Sequence, residues 1–175
     1  KAATEIALSS WRDSFCGFDK KASNLLIASA RSGNVIGGGD WAKDRIFPDV
    51  IRSLENGTEI FIRNPKSKRP WQHVLDPLAG YIVLAEKLYK SNNSLSKDSD
   101  NIFTSAFNFG PNISSNKTVN SLVNEIIKNW PGTIKKNNHD LNQFHEAEKL
   151  HLQVDKAFSL LNWKPIWQLE TSVKR

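Results

Sequence analysis

Apolar and polar positions change period several times along the chain. Over residues 1–16, Ala3, Ile6, Ala7, Trp11 and Phe15 recur near i, i+3, i+4, the spacing of one apolar face on a helix. No N-cap residue precedes Lys1, so this helix is expected to begin upstream. Residues 17–24 are polar and turn-like. Leu25-Leu26-Ile27-Ala28-Ser29-Ala30 is a short continuous apolar run, as in a strand buried on both faces of a parallel sheet. It empties into the Gly-rich loop Arg31-Ser32-Gly33-Asn34-Val35-Ile36-Gly37-Gly38-Gly39-Asp40-Trp41.

Further on, Ile46, Val50, Ile51 and Leu54 mark a helix over 45–56, with Pro48 tolerated in its first turn and Gly57 as its stop. Residues 59–63 (EIFIR) predict a strand, 64–71 a loop, and 72–75 a short strand. Asp76-Pro77 opens a helix to about Lys90, with Asp as N-cap and Pro at N1. Residues 91–101 form a polar surface loop. A strand is expected over 105–109, a helix over 118–130, irregular chain over 131–148, a strand over 150–154 and a short helix over 155–162. Strands alternating with helices predict an α/β fold. In such sheets ligands sit beyond the carboxyl ends of the strands. The loops after Ala30 and after Phe109 qualify here.

Composition narrows the class. The 175 residues are 39% hydrophobic and 24% charged, the balance of a globular domain. No apolar run approaches a bilayer span, and no stretch has a signal-peptide layout. The single cysteine, Cys16, excludes an internal disulfide and fits a reducing, cytoplasmic setting. The six Trp are expected in packing. Methionine is absent and the chain starts at Lys1, which points to a piece of a larger protein. The net charge of +6 is concentrated at Arg63, Lys66, Lys68 and Arg69. A nucleic-acid surface would need aromatics interleaved with such a cluster. Trp71 is the only one nearby, so neither nucleic acid nor membrane is an expected partner.

Gly37-Gly38-Gly39 follows a strand but matches neither G-x-G-x-x-G nor the P-loop pattern, so it reads as a flexible turn over a ligand. His139, His145 and His151 show no metal-ligand spacing, and no metal is expected. His73 reads as structural beside Val74 and Leu75. Taken alone, Asn34 reads as a turn residue, and Arg45 and Arg69 as surface charge.

An ordered set of motifs changes that reading. The Arg31–Trp41 loop, Asp44-Arg45-Ile46-Phe47-Pro48-Asp49, Ile62-Arg63-Asn64-Pro65, Arg69-Pro70-Trp71-Gln72-His73-Val74-Leu75, Phe107-Asn108-Phe109-Gly110-Pro111, His145-Glu146-Ala147, and Asp155-Lys156-Ala157 with Leu161-Asn162-Trp163-Lys164-Pro165 resemble the CDP-glucose 4,6-dehydratases. These belong to the extended short-chain dehydrogenase/reductase group of nucleotide-sugar enzymes. R-P-W-Q-H-V is the most diagnostic piece, because related families tend to show R-D-[WY] there. Gln153 stands where an Asp is usual, and Asn162 replaces the Gly of L-G-W.

The resemblance implies the C-terminal part of an NAD-binding Rossmann-fold enzyme plus its smaller substrate-binding domain. Residues 1–36 would end the cofactor domain, completed by about 72–111. Residues 37–71 and 112–175 would be mainly substrate domain. Lys1-Ala2-Ala3-Thr4-Glu5 looks like the end of the group's Y-x-x-x-K signature. Lys1 would then be a catalytic residue that lowers the pKa of an upstream Tyr and binds the nicotinamide ribose of NAD.

By position, the implied substrate-binding residues are Asn34, Arg45, Ile46, Ile60, Ile62, Arg69 and His145. Asn34 and Arg69 would meet the sugar diphosphate, Arg45 and Ile46 would border diphosphate and nucleotide, Ile60 and Ile62 would flank the base, and His145 would touch the nucleotide. The implied activity is NAD-dependent conversion of CDP-glucose to CDP-4-keto-6-deoxyglucose, within polysaccharide biosynthesis, by a homo-oligomer. This piece alone would be inactive. An epimerase or reductase on the same scaffold is the alternative, with a basic nucleic-acid-binding module as a third reading.

Overall fold

The computed structural model describes residues 2–16, 25–93, 101–135 and 150–175. The expected turn over 17–24, and most of the expected loop 91–101 and irregular stretch 131–148, lie outside them, as do Lys1 and His145. In chain order the elements are α1 (Ala2–Phe15), β1 (Ser29–Ser32), β2 (Asn34–Ile36), α2 (Ile46–Glu55), β3 (Lys68–His73), α3 (Leu75–Asn93), β4 (Ala106–Phe109), β5 (Asn116–Thr118), α4 (Val119–Asn129), α5 (Asp155–Leu161) and α6 (Leu169–Lys174). They sort into two compact units, each drawn from three separate stretches of chain.

The first unit comprises Lys1–Ser32, Pro77–Phe109 and Gln153–Lys164. Its sheet is the parallel pair β1–β4, with Ser29 opposite Ala106 and Ser32 opposite Phe109. The core is Leu84, Phe107, Phe109, Ala157, Leu161 and Trp163. Phe109 sits edge-on to Trp163 at 5.0 Å and to Tyr81 at 5.3 Å. Helix α3 approaches this ring at Gly80, where a Cβ would collide with Phe109. Asn162 ends α5 in the left-handed region, φ 52°. Its short polar side chain tolerates that conformation, which accounts for Asn where the resembled pattern has Gly.

Helix α1 has the expected span but an unexpected orientation. Its apolar Ile6, Trp11 and Phe15 are exposed, and the residues turned inward are Glu5, Leu8 and Arg12. Polar anchors, not an apolar stripe, hold it to its unit.

The second unit comprises Gly33–Asp76, Gly110–Leu152 and Pro165–Arg175. Its sheet has the order β2-β3-β5. β2 runs parallel to β3, with Asn34 opposite Trp71 and Ile36 opposite His73. β5 runs antiparallel to β3, with Lys68 opposite Thr118. Ile36, Val50, Leu54, Ile60, Ile62, Trp71, Leu122, Val123, Ile126 and Leu169 form its core. Thr118 caps α4, its side chain accepting the Ser121 N–H at 3.0 Å.

Several local expectations change. The expected strand 59–63 is reduced to one bridge, Ile60 with Ile134. Burial of its two isoleucines, not a ladder, gives that segment its strand-like pattern. Residues 150–154 are not a strand. β3 starts at Lys68, inside the expected loop, because Lys68, Arg69 and Pro70 lie opposite Thr118, Lys117 and Asn116 of β5. Gln153–Lys164 groups with the first unit, while Gly110–Leu152 and Pro165–Arg175 group with the second. Ala157, Leu161 and Trp163 complete the first unit's core.

Candidate functional site

The expected substrate residues that are described all lie in the second unit. Asn34 opens β2 and is half-buried. The chain reaches it through Gly33, where a Cβ would stand 2.8 Å from the Pro70 carbonyl oxygen. Only glycine lets the strand start that close to β3. Because Asn34 pairs with Trp71 and side chains alternate along a strand, Asn34, Trp71 and Arg69 share one face of the sheet. Strand spacings put the Asn34 and Arg69 Cα atoms roughly 8 Å apart.

Arg69 is 8% exposed, and its Nη1 donates to the Lys68 carbonyl at 2.8 Å. The surface-charge reading of this residue is therefore replaced by a guanidinium held within the sheet. Trp71 is anchored from the opposite strand, its Nε1 donating to the Lys117 carbonyl at 3.1 Å.

Arg45 is the N-cap of α2, with extended backbone and no side-chain capping bond. Its exposed guanidinium pairs with Asp40 at 3.5 Å. Ile46 begins the helix and packs partly against the core. The first turn of α2 thus keeps its N–H donors free of an N-cap side chain, a favourable field for an anion. Of the basic cluster, Arg63 pairs with Asp44 at 2.8 Å.

Ile60 and Ile62 point into the core, 1% and 4% exposed, while Phe61 between them is 46% exposed. The segment therefore offers a ligand its backbone and the Phe61 ring, not the isoleucine side chains. Period-two alternation in EIFIR is the signal that places Phe61 opposite its neighbours. Lys1 and His145 lie outside the described residues.

Two residues that the sequence reads only as structural, His73 and Asp76, organise the end of β3. Asp76, expected to cap α3, lies inside the helix and is 4% exposed. Its carboxylate accepts the backbone N–H groups of Ile166 and Trp167, each at 3.2 Å. His73 is 8% exposed, takes the Leu75 N–H on Nδ1 at 3.3 Å and stacks on Trp167. Burial pushes its pKa below 6.5, with the Asp76 charge opposing in part.

Among the described residues, no cluster of His, Cys, Asp or Glu could hold a metal ion. A cleft of about 240 Å³ lies between Leu54, Thr58, Glu59 and the Pro131–Thr133 turn, and none of the expected site residues line it.

One unit holds a parallel strand pair packed with helices, and the other holds Asn34, Arg69 and a helix start without a side-chain cap. Solved structures carry the same fold. One is a mutant UDP-glucuronic acid 4-epimerase from Bacillus cereus in complex with a UDP-sugar and NAD (TM-score 0.75, 16% identity, 99% of this chain and 48% of that one). Another is dTDP-glucose 4,6-dehydratase from Bacillus anthracis in complex with NAD (TM-score 0.67, 18% identity, 99% and 47%). The chain thus shares the fold of these epimerase and dehydratase structures. In sequence it is 42% identical, over its whole length, to CDP-glucose 4,6-dehydratase of Salmonella typhimurium. It spans 47% of the length of that protein. No protein-family model matches the sequence.

Proposed function

We propose that the chain is the C-terminal part of an NAD-dependent CDP-glucose 4,6-dehydratase, a hydro-lyase acting on a nucleotide sugar. The observation that carries this is the 42% identity across the whole chain. The sheet face bearing Asn34 and Arg69 supports it. A planar guanidinium held by its own strand suits bidentate bonding to a diphosphate. The Asn34 amide adds a neutral donor, and the uncapped first turn of α2, with Arg45, adds a positive end. Ile46, Ile60 and Ile62 support that surface from the core, and the exposed Phe61 offers an apolar face for a base. His145 is assigned to the nucleotide by position in the sequence alone.

The parallel β1–β4 pair fits the edge of a dinucleotide-binding sheet, and an ammonium at Lys1 fits a ribose hydroxyl. NAD, when bound, supplies the hydride acceptor that takes hydrogen from sugar C4 and returns it to C6 after water is lost across C5–C6. In this reading Lys1 holds the ribose and favours the phenolate of a Tyr four residues upstream. The same reading assigns the enzyme to the cytoplasm, to polysaccharide biosynthesis and to a homo-oligomer. No helix among the described residues is long and apolar enough to cross a membrane.

The test is made on the full-length protein. CDP-glucose with NAD should yield the 4-keto-6-deoxy product, and Lys1→Met should lower turnover near neutral pH by a factor on the order of 10². Partial recovery at higher pH is expected, as phenolate then forms without the ammonium. Formation of a C4 epimer instead would favour the sister activity on this scaffold.

A further inference from the structure

Helix α1 is fastened to its unit by polar contacts from one face. The Glu5 carboxylate accepts the Ser29 hydroxyl at 2.8 Å and pairs with Arg31 at 3.5 Å. Two turns on, Arg12 Nε donates to the Ile27 carbonyl at 3.0 Å. Glu5 and Arg12 are i, i+7 on the helix, about 10.5 Å of rise. Their partners run in the opposite direction along one extended segment. From Ile27, just before β1, to midway between Ser29 and Arg31 is three residues, about 10 Å at strand rise. The two spans match, so the anchors together fix where α1 lies along β1 and which way it is turned. A slip by one residue would break both and rotate the helix by about 100°. Among the described residues, Leu8 is the one apolar side chain of α1 turned inward beside them, while Ile6, Trp11 and Phe15 face away.

We infer that Glu5 is a positioning residue for the proposed reaction. It holds the start of α1 in register on β1, and so sets where Lys1, the residue directly before α1 and four before Glu5, is delivered to the nicotinamide ribose and the reacting Tyr. Arg12 holds the far end of the helix and carries much less of that function. The inference rests on the dehydratase reading for what Lys1 does, but not for the anchor itself.

The experiment compares Glu5→Ala, Glu5→Gln and Arg12→Ala in the full-length protein, with Glu86→Gln, which loses the exposed Lys90 pair on α3, as control. NAD affinity, CDP affinity, kcat and Tm are measured for each. Glu5→Ala should weaken NAD binding about tenfold and lower kcat by 10-fold to 10²-fold, the order expected for ångström-scale misplacement, with CDP affinity unchanged. Glu5→Gln, which still accepts from Ser29, should fall between Glu5→Ala and the wild type. Arg12→Ala should lose comparable Tm yet keep NAD affinity.

A merely structural anchor would make Glu5→Ala and Arg12→Ala alike in NAD affinity at equal loss of Tm, and that result overturns the proposal. Unchanged NAD affinity in Glu5→Ala overturns it too. Amide hydrogen exchange along α1 reads the anchor independently of activity, and faster exchange confined to its first two turns is expected in Glu5→Ala. If exchange responds in this way but the wild-type protein binds no NAD, the dehydratase reading fails, and with it the link from Glu5 to Lys1. If exchange does not respond, the anchor itself is wrong.

Discussion

The indole of Trp167 lies over the imidazole of His73, ring centroids 4.0 Å apart and planes tilted by 32°. With Asp76 taking the N–H groups of Ile166 and Trp167, this contact fastens the last stretch of chain to the end of β3 within one unit.

Asp76 should therefore be a large contributor to stability. Its two acceptor bonds are charge-assisted, and its removal leaves two backbone donors unpaired. Asp76→Ala should cost roughly 1.5–3 kcal/mol in denaturant unfolding. A loss within error of zero would show that water replaces the carboxylate without penalty.

His73 gives this fastening a pH dependence. Its folded pKa lies below 6.5 because burial disfavours the imidazolium. Below pH 6.5 the unfolded chain takes up a proton that the folded chain does not, so the contribution is fully present above that value and is lost as pH falls through the window beneath it. Protonation also removes the Nδ1 lone pair that accepts the Leu75 N–H. In scans of Tm against pH, the wild type should lose stability below pH 6.5 more steeply than His73→Phe; parallel curves would assign the slope to other groups.

Gly80 reverses an ordinary propensity. Alanine is normally worth about 1 kcal/mol over glycine inside a helix. Here the added methyl meets the Phe109 ring, which Trp163 and Tyr81 hold edge-on. Gly80→Ala should destabilise the first unit by about 1–3 kcal/mol, the usual cost of overpacking. A neutral or stabilising effect in the same unfolding assay would mean α3 can shift off the sheet.

Arg69 carries the prediction for binding. If its guanidinium meets the diphosphate, Arg69→Ala in the full-length protein should weaken CDP binding by roughly 1.5–3 kcal/mol, read by calorimetry. Arg69→Lys should recover only part of it, since an ammonium lacks the planar fork. An unchanged dissociation constant would return Arg69 to a purely structural role in β3.

The sequence is most legible where local periodicity and tertiary burial agree. Helices α2 and α4 show an apolar face at helical spacing, and the fold buries that same face. α1 shows equally clear spacing, but Glu5 and Arg12 are turned inward and the stripe outward, which no periodicity predicts. EIFIR alternates like a strand because Ile60 and Ile62 enter the core, although its pairing is one bridge. β2 and α6 are too short for a pattern, and β3 is hidden by Pro70 and the charges beside it. For the site, the ordered motifs single out Asn34, Arg45 and Arg69. Asp76 reads only as a cap, because its partners are ninety residues away along the chain.

The chain passes between its two units at residues 32, 76, 109, 152 and 164. Residue 29 must find residue 106 before the first sheet exists, and both cores wait on residues beyond 156. Such non-local closure slows folding. During synthesis, a ribosome-bound chain stopped before α5 holds two unfinished cores at once, and no single cut releases either as a contiguous piece. Protection from proteases should therefore arrive only once α5 and α6 have been made, and for both units together, making these two short helices the timers of maturation.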